Sequence, residues 1–194
     1  MLSRSELRQQ MRVHRQQLSL QGQTKMAEKV VDQVCNSAIF YQSTHISAYI
    51  SHGGEIDPAS ILRLAWQLNK TCYLPVMQAQ KQLCFVKYEV EDELKPNAYN
   101  ILEPTIQPEK IIQAPQLDLV LVPLVAFDRH GNRLGMGSGY FDATFSFLKN
   151  TKRPTNPYLL GLAYEWQQCE TTYPAEWDIK LDAIATENTI HFIY

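Results

Sequence analysis

Leu7, Met11, His14 and Leu18 recur at helical spacing behind Ser3 and Glu6, which fit a capping box, so the chain is expected to open with an amphipathic helix. Arg4, Arg8, Arg12 and Arg15 fall on one stripe of that helix, opposite the apolar one. A second helix follows a loop at Gly22, with Ala27, Val30, Val31, Val34 and Ala38 as the face that packs on a sheet. From His45 the period changes to short apolar runs separated by helical segments. Ile46 to Ile50 reads as a strand, Asp57 and Pro58 as the start of a helix carrying Ile61, Leu62, Ala65 and Leu68, and Cys72 to Val76 as the next strand. Leu83 to Tyr88 reads as a hairpin-like strand. Val90 to Pro115 has four prolines and little period, so a long loop is expected, with one helical turn near Pro108 to Ile112. Leu117 to Phe127 is the longest apolar run and reads as buried strand, with Leu117 to Pro123 as the most apolar strand, at the sheet centre. A helix over Tyr140 to Lys149, a strand over Tyr158 to Ala163, and short strands at Ala183 to Ala185 and Ile190 to Ile193 complete the pattern. The alternation predicts an α/β fold: a three-layer Rossmann-like domain over 1–194, with a mostly parallel central sheet and an N-terminal basic helix.

Composition narrows the function without naming it. Of 194 residues, 45% are apolar and 20% charged, so neither disorder nor a fibrous repeat is expected. The net charge of −2 gives no chain-wide cationic field, which argues against a nucleic-acid binder. The longest apolar run is too short to cross a bilayer, and the charges at Arg4, Glu6 and Arg8 replace the apolar segment of a signal peptide, so a cytoplasmic protein is expected. Cys35, Cys72, Cys84 and Cys169 form no C-x-x-C pair and predict neither a zinc site nor a redox motif.

The chemistry is concentrated between Asn132 and Asp142, where Gly135, Gly137 and Gly139 alternate ahead of the expected helix. Such a loop uncovers backbone N–H groups and can cradle phosphate oxygens, with the helix dipole and Arg133 adding to the attraction; a plain tight turn would show the same glycines. Asp142 is either a first-turn carboxylate favoured by the dipole or a Mg²⁺ ligand, with Asp182, and after it Asp178, as the second carboxylate. The arginine stripe is either a solvated face or an anion site. Glu55, beside Gly53 and Gly54 after the first strand, stands where open α/β sheets bind ligands, a place that ordinary surface carboxylates also occupy. His52 and His130 have no partner spacing and read as surface residues.

Taken in order, these segments resemble the 5-formyltetrahydrofolate cyclo-ligases, or 5,10-methenyltetrahydrofolate synthetases. Val122-Pro123, Ala126-Phe127-Asp128, His130 to Gly135 and Gly137 to Asp142 are similar to the family signature, Arg4 to Arg8 to its N-terminal basic motif, and Tyr49 to Asp57 to its substrate loop. Asn100 to Pro104, with Tyr99 beside it, resembles a further family segment. The resemblance implies an ATP- and Mg²⁺-dependent closure of 5-formyltetrahydrofolate to 5,10-methenyltetrahydrofolate. On it, Arg4, Arg8, Arg133, Leu134, Gly135, Met136, Gly137, Ser138, Gly139, Tyr140 and Phe141 would bind ATP. Arg8, Ile50, Glu55, Tyr99 and Tyr140 would bind the folate, Arg133 and Tyr140 would act in catalysis, and Asp142 and Asp182 would hold Mg²⁺. The implied partners are ATP and 5-formyltetrahydrofolate, with or without a polyglutamate tail, and no nucleic acid or membrane, for an enzyme acting as a monomer. Arg4 stands where lysine is common in the family, Met136 and Ser138 replace residues that are often basic or glycine, and Phe141 replaces a common tyrosine. The competing readings are a small-molecule kinase, a binding module without turnover, and an RNA or DNA binder using the arginine helix.

Overall fold

The computed structural model describes residues 2–193. In chain order the elements are α1 (Arg4–Gln17), α2 (Leu20–Cys35), α3 (Ala38–Gln42), β1 (His45–Ser47), α4 (Ala59–Gln67), β2 (Thr71–Met77) and β3 (Leu83–Lys87). There follow β4 (Leu94–Pro96), β5 (Leu102–Pro104), β6 (Ile111–Ile112), β7 (Leu119–Pro123), β8 (Ala126–Phe127) and β9 (Arg133–Leu134). The last are α5 (Tyr140–Thr144), β10 (Tyr158–Leu162), β11 (Ala183–Ala185) and β12 (Ile190–Phe192). Eight strands form the main sheet in the order β12-β11-β10-β7-β1-β2-β3-β6. The inner run from β11 to β2 is parallel, and the antiparallel pairings lie toward the edges. The expected α/β class with a mostly parallel sheet is what the chain adopts.

Pleating divides the core in two. Leu119 and Leu121 of β7, with Leu160 and Leu162 of β10, meet Val30 and Val34 of α2, Phe40 of α3, and Ile61 and Ala65 of α4. Val120 and Val122 of β7 point the other way, toward Phe145, Leu148, Ile179 and Leu181. A small third cluster joins Leu7 of α1 to Ala126 and Leu134 of the β8–β9 hairpin, and this anchors the basic helix at one end of the sheet. Ser3 caps α1 in the expected box with Glu6.

Several boundaries differ from the pattern reading. Gly22 is inside the first turn of α2, because Ser19 accepts from its N–H as the N-cap and starts the helix earlier. Ala38 belongs to α3, a separate short helix capped by Ser37. The central strand ends at Pro123 as expected, but the apolar run continues into a separate strand, β8: Pro123 has no N–H for the ladder, and beyond it the chain turns away. The segment after Tyr140 is five residues of helix and then a 3₁₀ turn over Ser146–Leu148, which puts Phe145 and Leu148 on one side toward the core. The expected loop from Val90 to Pro115 holds the β4–β5 hairpin and β6, strands too short for periodicity to reveal. No helix among the described residues is long and apolar enough to cross a membrane.

β1 is followed in the chain by α4 and β2 on one side of it, while β7 pairs on its other side. Strand order therefore reverses at β1, and a crevice opens at the carboxyl ends of β1 and β7.

Candidate functional site

That crevice is a cavity of about 660 Å³. The segment after β1 contributes Tyr49, Ile50, His52 and Glu55, and Pro123 ends β7 at its floor. The β4–β5 hairpin supplies Asn97, Tyr99 and Leu102 on another wall. Asn97 makes that wall: its Oδ1 accepts from the N–H groups of Tyr99 at 2.8 Å and Ile101 at 3.0 Å, which turns the hairpin tip and leaves Tyr99 exposed. Glu103 fixes the hairpin to β2, accepting from the Met77 N–H and from Asn97 Nδ2.

Arg4, Arg8 and Arg12 of α1 face the same cavity. Arg8 Nε donates to the Gly135 carbonyl at 2.8 Å, so the basic helix grips the glycine loop directly. Gly137 (φ 106°) and Gly139 (φ 79°) hold the left-handed conformations that let this loop double back under the arginine. Burial first, and then the charges of Arg4 and Arg12, pull Arg8 below its ordinary value, against Asp178, which raises it. Because α5 is little more than one turn, its dipole adds less to that attraction than the sequence pattern implied.

Two carboxylates counterbalance the arginines. Asp142 Oδ1 accepts from Arg133 Nη2 at 2.8 Å and from the Ile179 N–H at 3.0 Å. Asp178 takes a forked pair from Arg4, at 2.7 and 3.3 Å, and also accepts from the Ala175 N–H at 2.9 Å. Burial pulls Arg133 below its ordinary value despite Asp142 and Asp178. Phe141 lies under the Arg133 guanidinium, 5.3 Å from ring centre to Cζ, and stacks on Phe145.

The Glu55 carboxylate enters from the opposite side. Its side chain is 8% exposed, its Oε2 accepts from the His52 N–H at 3.1 Å, and its Oε1 lies 3.9 Å from Arg15 Nη1. Burial is the largest influence on it and raises the carboxyl above its ordinary value, more than Arg15 and the His52 N–H lower it.

The family model described as the 5-formyltetrahydrofolate cyclo-ligase family matches residues 1–187. The chain belongs to the 5-formyltetrahydrofolate cyclo-ligase family. It is accordingly a ligase. The 5-formyltetrahydrofolate cyclo-ligase of Haemophilus influenzae is 33% identical over 180 residues, covering 92% of this chain and 94% of that protein. Its Escherichia coli K12 counterpart is 30% identical over 181 residues, with 92% and 97% covered. The 5,10-methenyltetrahydrofolate synthetase of Aquifex aeolicus superposes with a TM-score of 0.83 at 26% identity, covering 99% of this chain and 93% of that one.

Within this cyclo-ligase fold, Arg4, Arg8, Ile50, Glu55, Tyr99, Arg133, Gly135 to Gly139, Tyr140, Phe141 and Asp142 all line the cavity. Leu134 does not: its side chain is fully buried against Leu7 and Ala126, because the strand alternation that turns Arg133 one way turns Leu134 the other. Asp182, expected as the second metal carboxylate, also lies elsewhere. It precedes β11, is ion-paired with Arg153, and accepts from the Leu159 N–H at 2.7 Å. Asp178 does line the cavity, and it is the aspartate held next to Asp142. The sequence reading put Asp182 ahead of Asp178; in the fold the Asp142–Ile179 hydrogen bond brings the segment carrying Asp178, and not Asp182, beside Asp142. Arg12, His52 and the exposed Trp177 also line the cavity, and only Arg12 carried a sequence signal, as a member of the arginine stripe.

Proposed function

We propose that this ligase closes 5-formyltetrahydrofolate to 5,10-methenyltetrahydrofolate, using ATP and Mg²⁺ and releasing ADP and phosphate. One observation carries the reading: a cavity joins a glycine loop gripped by arginines to an aromatic and apolar chamber that ends on a buried carboxylate. The first half suits a nucleoside triphosphate, the second a pterin with an N–H edge.

The residues present fit a magnesium ion. Mg²⁺ held with nucleotide phosphates takes one or two carboxylates and completes its shell with water and phosphate oxygens. Asp142 and Asp178 supply such a pair, and no group of three or more His, Cys, Asp or Glu positioned to hold a metal occurs among the described residues. The ion would neutralise phosphate charge. Arg4 and Arg133 lie paired with these same carboxylates, so the charges that would meet phosphate and those that would meet the metal compensate one another until both ligands arrive.

A formamide oxygen is a poor leaving group. Transfer of the γ-phosphoryl group to it breaks the β–γ phosphate bond and makes the formyl carbon electrophilic. N10 of the same folate then attacks that carbon, the oxygen departs as phosphate, and the N10 proton is lost. Arg133 and Tyr140, on the wall beside the glycine loop, would stabilise the charge that develops on the transferred group. Arg4, Arg8 and the amides of 135–139 would position ATP, while Glu55 would accept from the pterin N–H edge, with Ile50 and Tyr99 as walls. In mildly acidic buffer, where the product persists, absorbance of 5,10-methenyltetrahydrofolate should appear only with protein, ATP, Mg²⁺ and 5-formyltetrahydrofolate together. Binding of ATP by folded protein without product would overturn the reading.

A further inference from the structure

The four arginines of the basic stripe do not share one task. Arg4, Arg8 and Arg12 line the cavity, but Arg15, in the last turn of α1, has a side chain only 5% exposed and is absent from the lining. It lies against the turn that carries Glu55: a Cβ at Gly54 would stand 3.2 Å from Arg15 Cγ, and one at Gly53 would stand 3.7 Å from Nη2. Both glycines have positive φ, which other residues rarely adopt, and at Gly54 it is the missing Cβ that lets Arg15 approach this closely. Tyr164 closes the other side, its hydroxyl donating to the Gly54 carbonyl at 3.0 Å. Arg15 Nε is buried without a hydrogen-bond partner, and the guanidinium sits 3.9 Å from Glu55, near enough for attraction but outside hydrogen-bond range. A buried arginine with an unfilled donor is costly for stability alone, which points to a role beyond packing.

We infer that Arg15 is a positioning residue for Glu55, holding from behind the carboxylate that Glu55 presents to the cavity. The inference rests on the reading of Glu55 as the folate contact. Arg15 touches no part of the cavity itself, so it acts through Glu55 and through the turn between them. The arrangement also gives α1 a double function: its first half reaches the glycine loop through Arg8, and its last turn supports the pterin end through Arg15. Besides Arg15, the groups that interact with Glu55 are His52 on its own turn, Tyr49 on the flanking segment, and Tyr164 on the packed neighbour. Among them, only Arg15 brings a permanent positive charge. Without it, burial would hold the Glu55 proton up to a higher pH.

The test uses the full chain carrying Arg15→Met, Arg15→Lys, Glu55→Gln, and Arg15→Met with Glu55→Gln. Arg15→Met should raise KM for 5-formyltetrahydrofolate by roughly tenfold, the size expected when a charge-assisted contact is lost, while KM for ATP stays within about twofold. The acid limb of kcat/KM for the folate should move to higher pH, with Arg15→Lys between wild type and Arg15→Met. In the Glu55→Gln background Arg15→Met should add little, because the group it acts on is gone. If Arg15→Met does not fold, Arg15→Lys decides alone: an upward-shifted limb with unchanged KM for ATP supports the role, and an unmoved limb overturns it. Parallel rises in both KM values that track a falling melting temperature also overturn it, in favour of a purely structural arginine. If Glu55→Gln leaves KM for the folate unchanged, the folate reading of Glu55 is what fails; if Glu55→Gln raises it and both Arg15 variants leave the limb in place, only the Arg15 inference fails.

Discussion

Asp142 accepts a hydrogen bond from the backbone N–H of Ile179 at 3.0 Å, and this bond joins the turn after the glycine loop to the segment that carries Asp178. The two aspartates are 36 positions apart in the chain, yet both line the cavity, each paired with an arginine. A divalent cation brought in with triphosphate would meet both.

Asp178→Asn should therefore raise the Mg²⁺ concentration needed for half-maximal turnover by about tenfold or more, a loss of the size of one charged ligand contact. A magnesium titration at fixed ATP and folate checks it. An unchanged magnesium requirement would remove Asp178 from the metal site.

Asp182→Asn should act on stability instead. The carboxylate is buried beside Arg153 and accepts from the Leu159 N–H, and burial raises its carboxyl above its ordinary value even against that arginine. Neutralising one partner of such a pair costs about 3 kcal/mol. Urea unfolding should show the loss, while the folded fraction keeps a wild-type magnesium titration.

Glu55→Gln should weaken 5-formyltetrahydrofolate more than ATP, seen as a KM ratio that changes by roughly tenfold. The pH dependence has a definite sign. Burial raises the Glu55 carboxyl, so the ionised form proposed to accept from the pterin is present above that raised value and lost as pH falls through it. The acid limb of kcat/KM for the folate should lie above the ordinary glutamate range in the wild type and be absent in Glu55→Gln. Initial rates between pH 4 and 8, about the span that brackets such a carboxyl, test this.

Arg8→Met should raise KM for ATP by about tenfold and leave KM for the folate less affected, since Arg8 holds the Gly135 carbonyl of the loop proposed to bind phosphate. The wild-type KM for ATP should also climb with salt, as expected for charges only partly withdrawn from water. Equal effects on both substrates would place Arg8 between them.

Much of this was legible along the chain because it rests on local rules. Periodicity showed the amphipathic α1 and the apolar β7, Ser3 and Glu6 announced the capping box, and the glycine loop with Arg133 and Asp142 pointed to the family and to a segment that lines the cavity. What escaped was set by contacts between distant segments. Leu134 leaves the cavity through strand alternation, Asp178 joins Asp142 through one hydrogen bond, and Asp182 is drawn away by Arg153. The arginine stripe looks uniform in one dimension, yet Arg4, Arg8 and Arg12 line the cavity while Arg15, further along α1, is buried beside Glu55. The sequence by itself determined which chemical groups are available and the family they belong to. Only the tertiary structure decided which of them meet, because a charge has its effect across a few ångströms of low-dielectric space, whatever its distance along the chain.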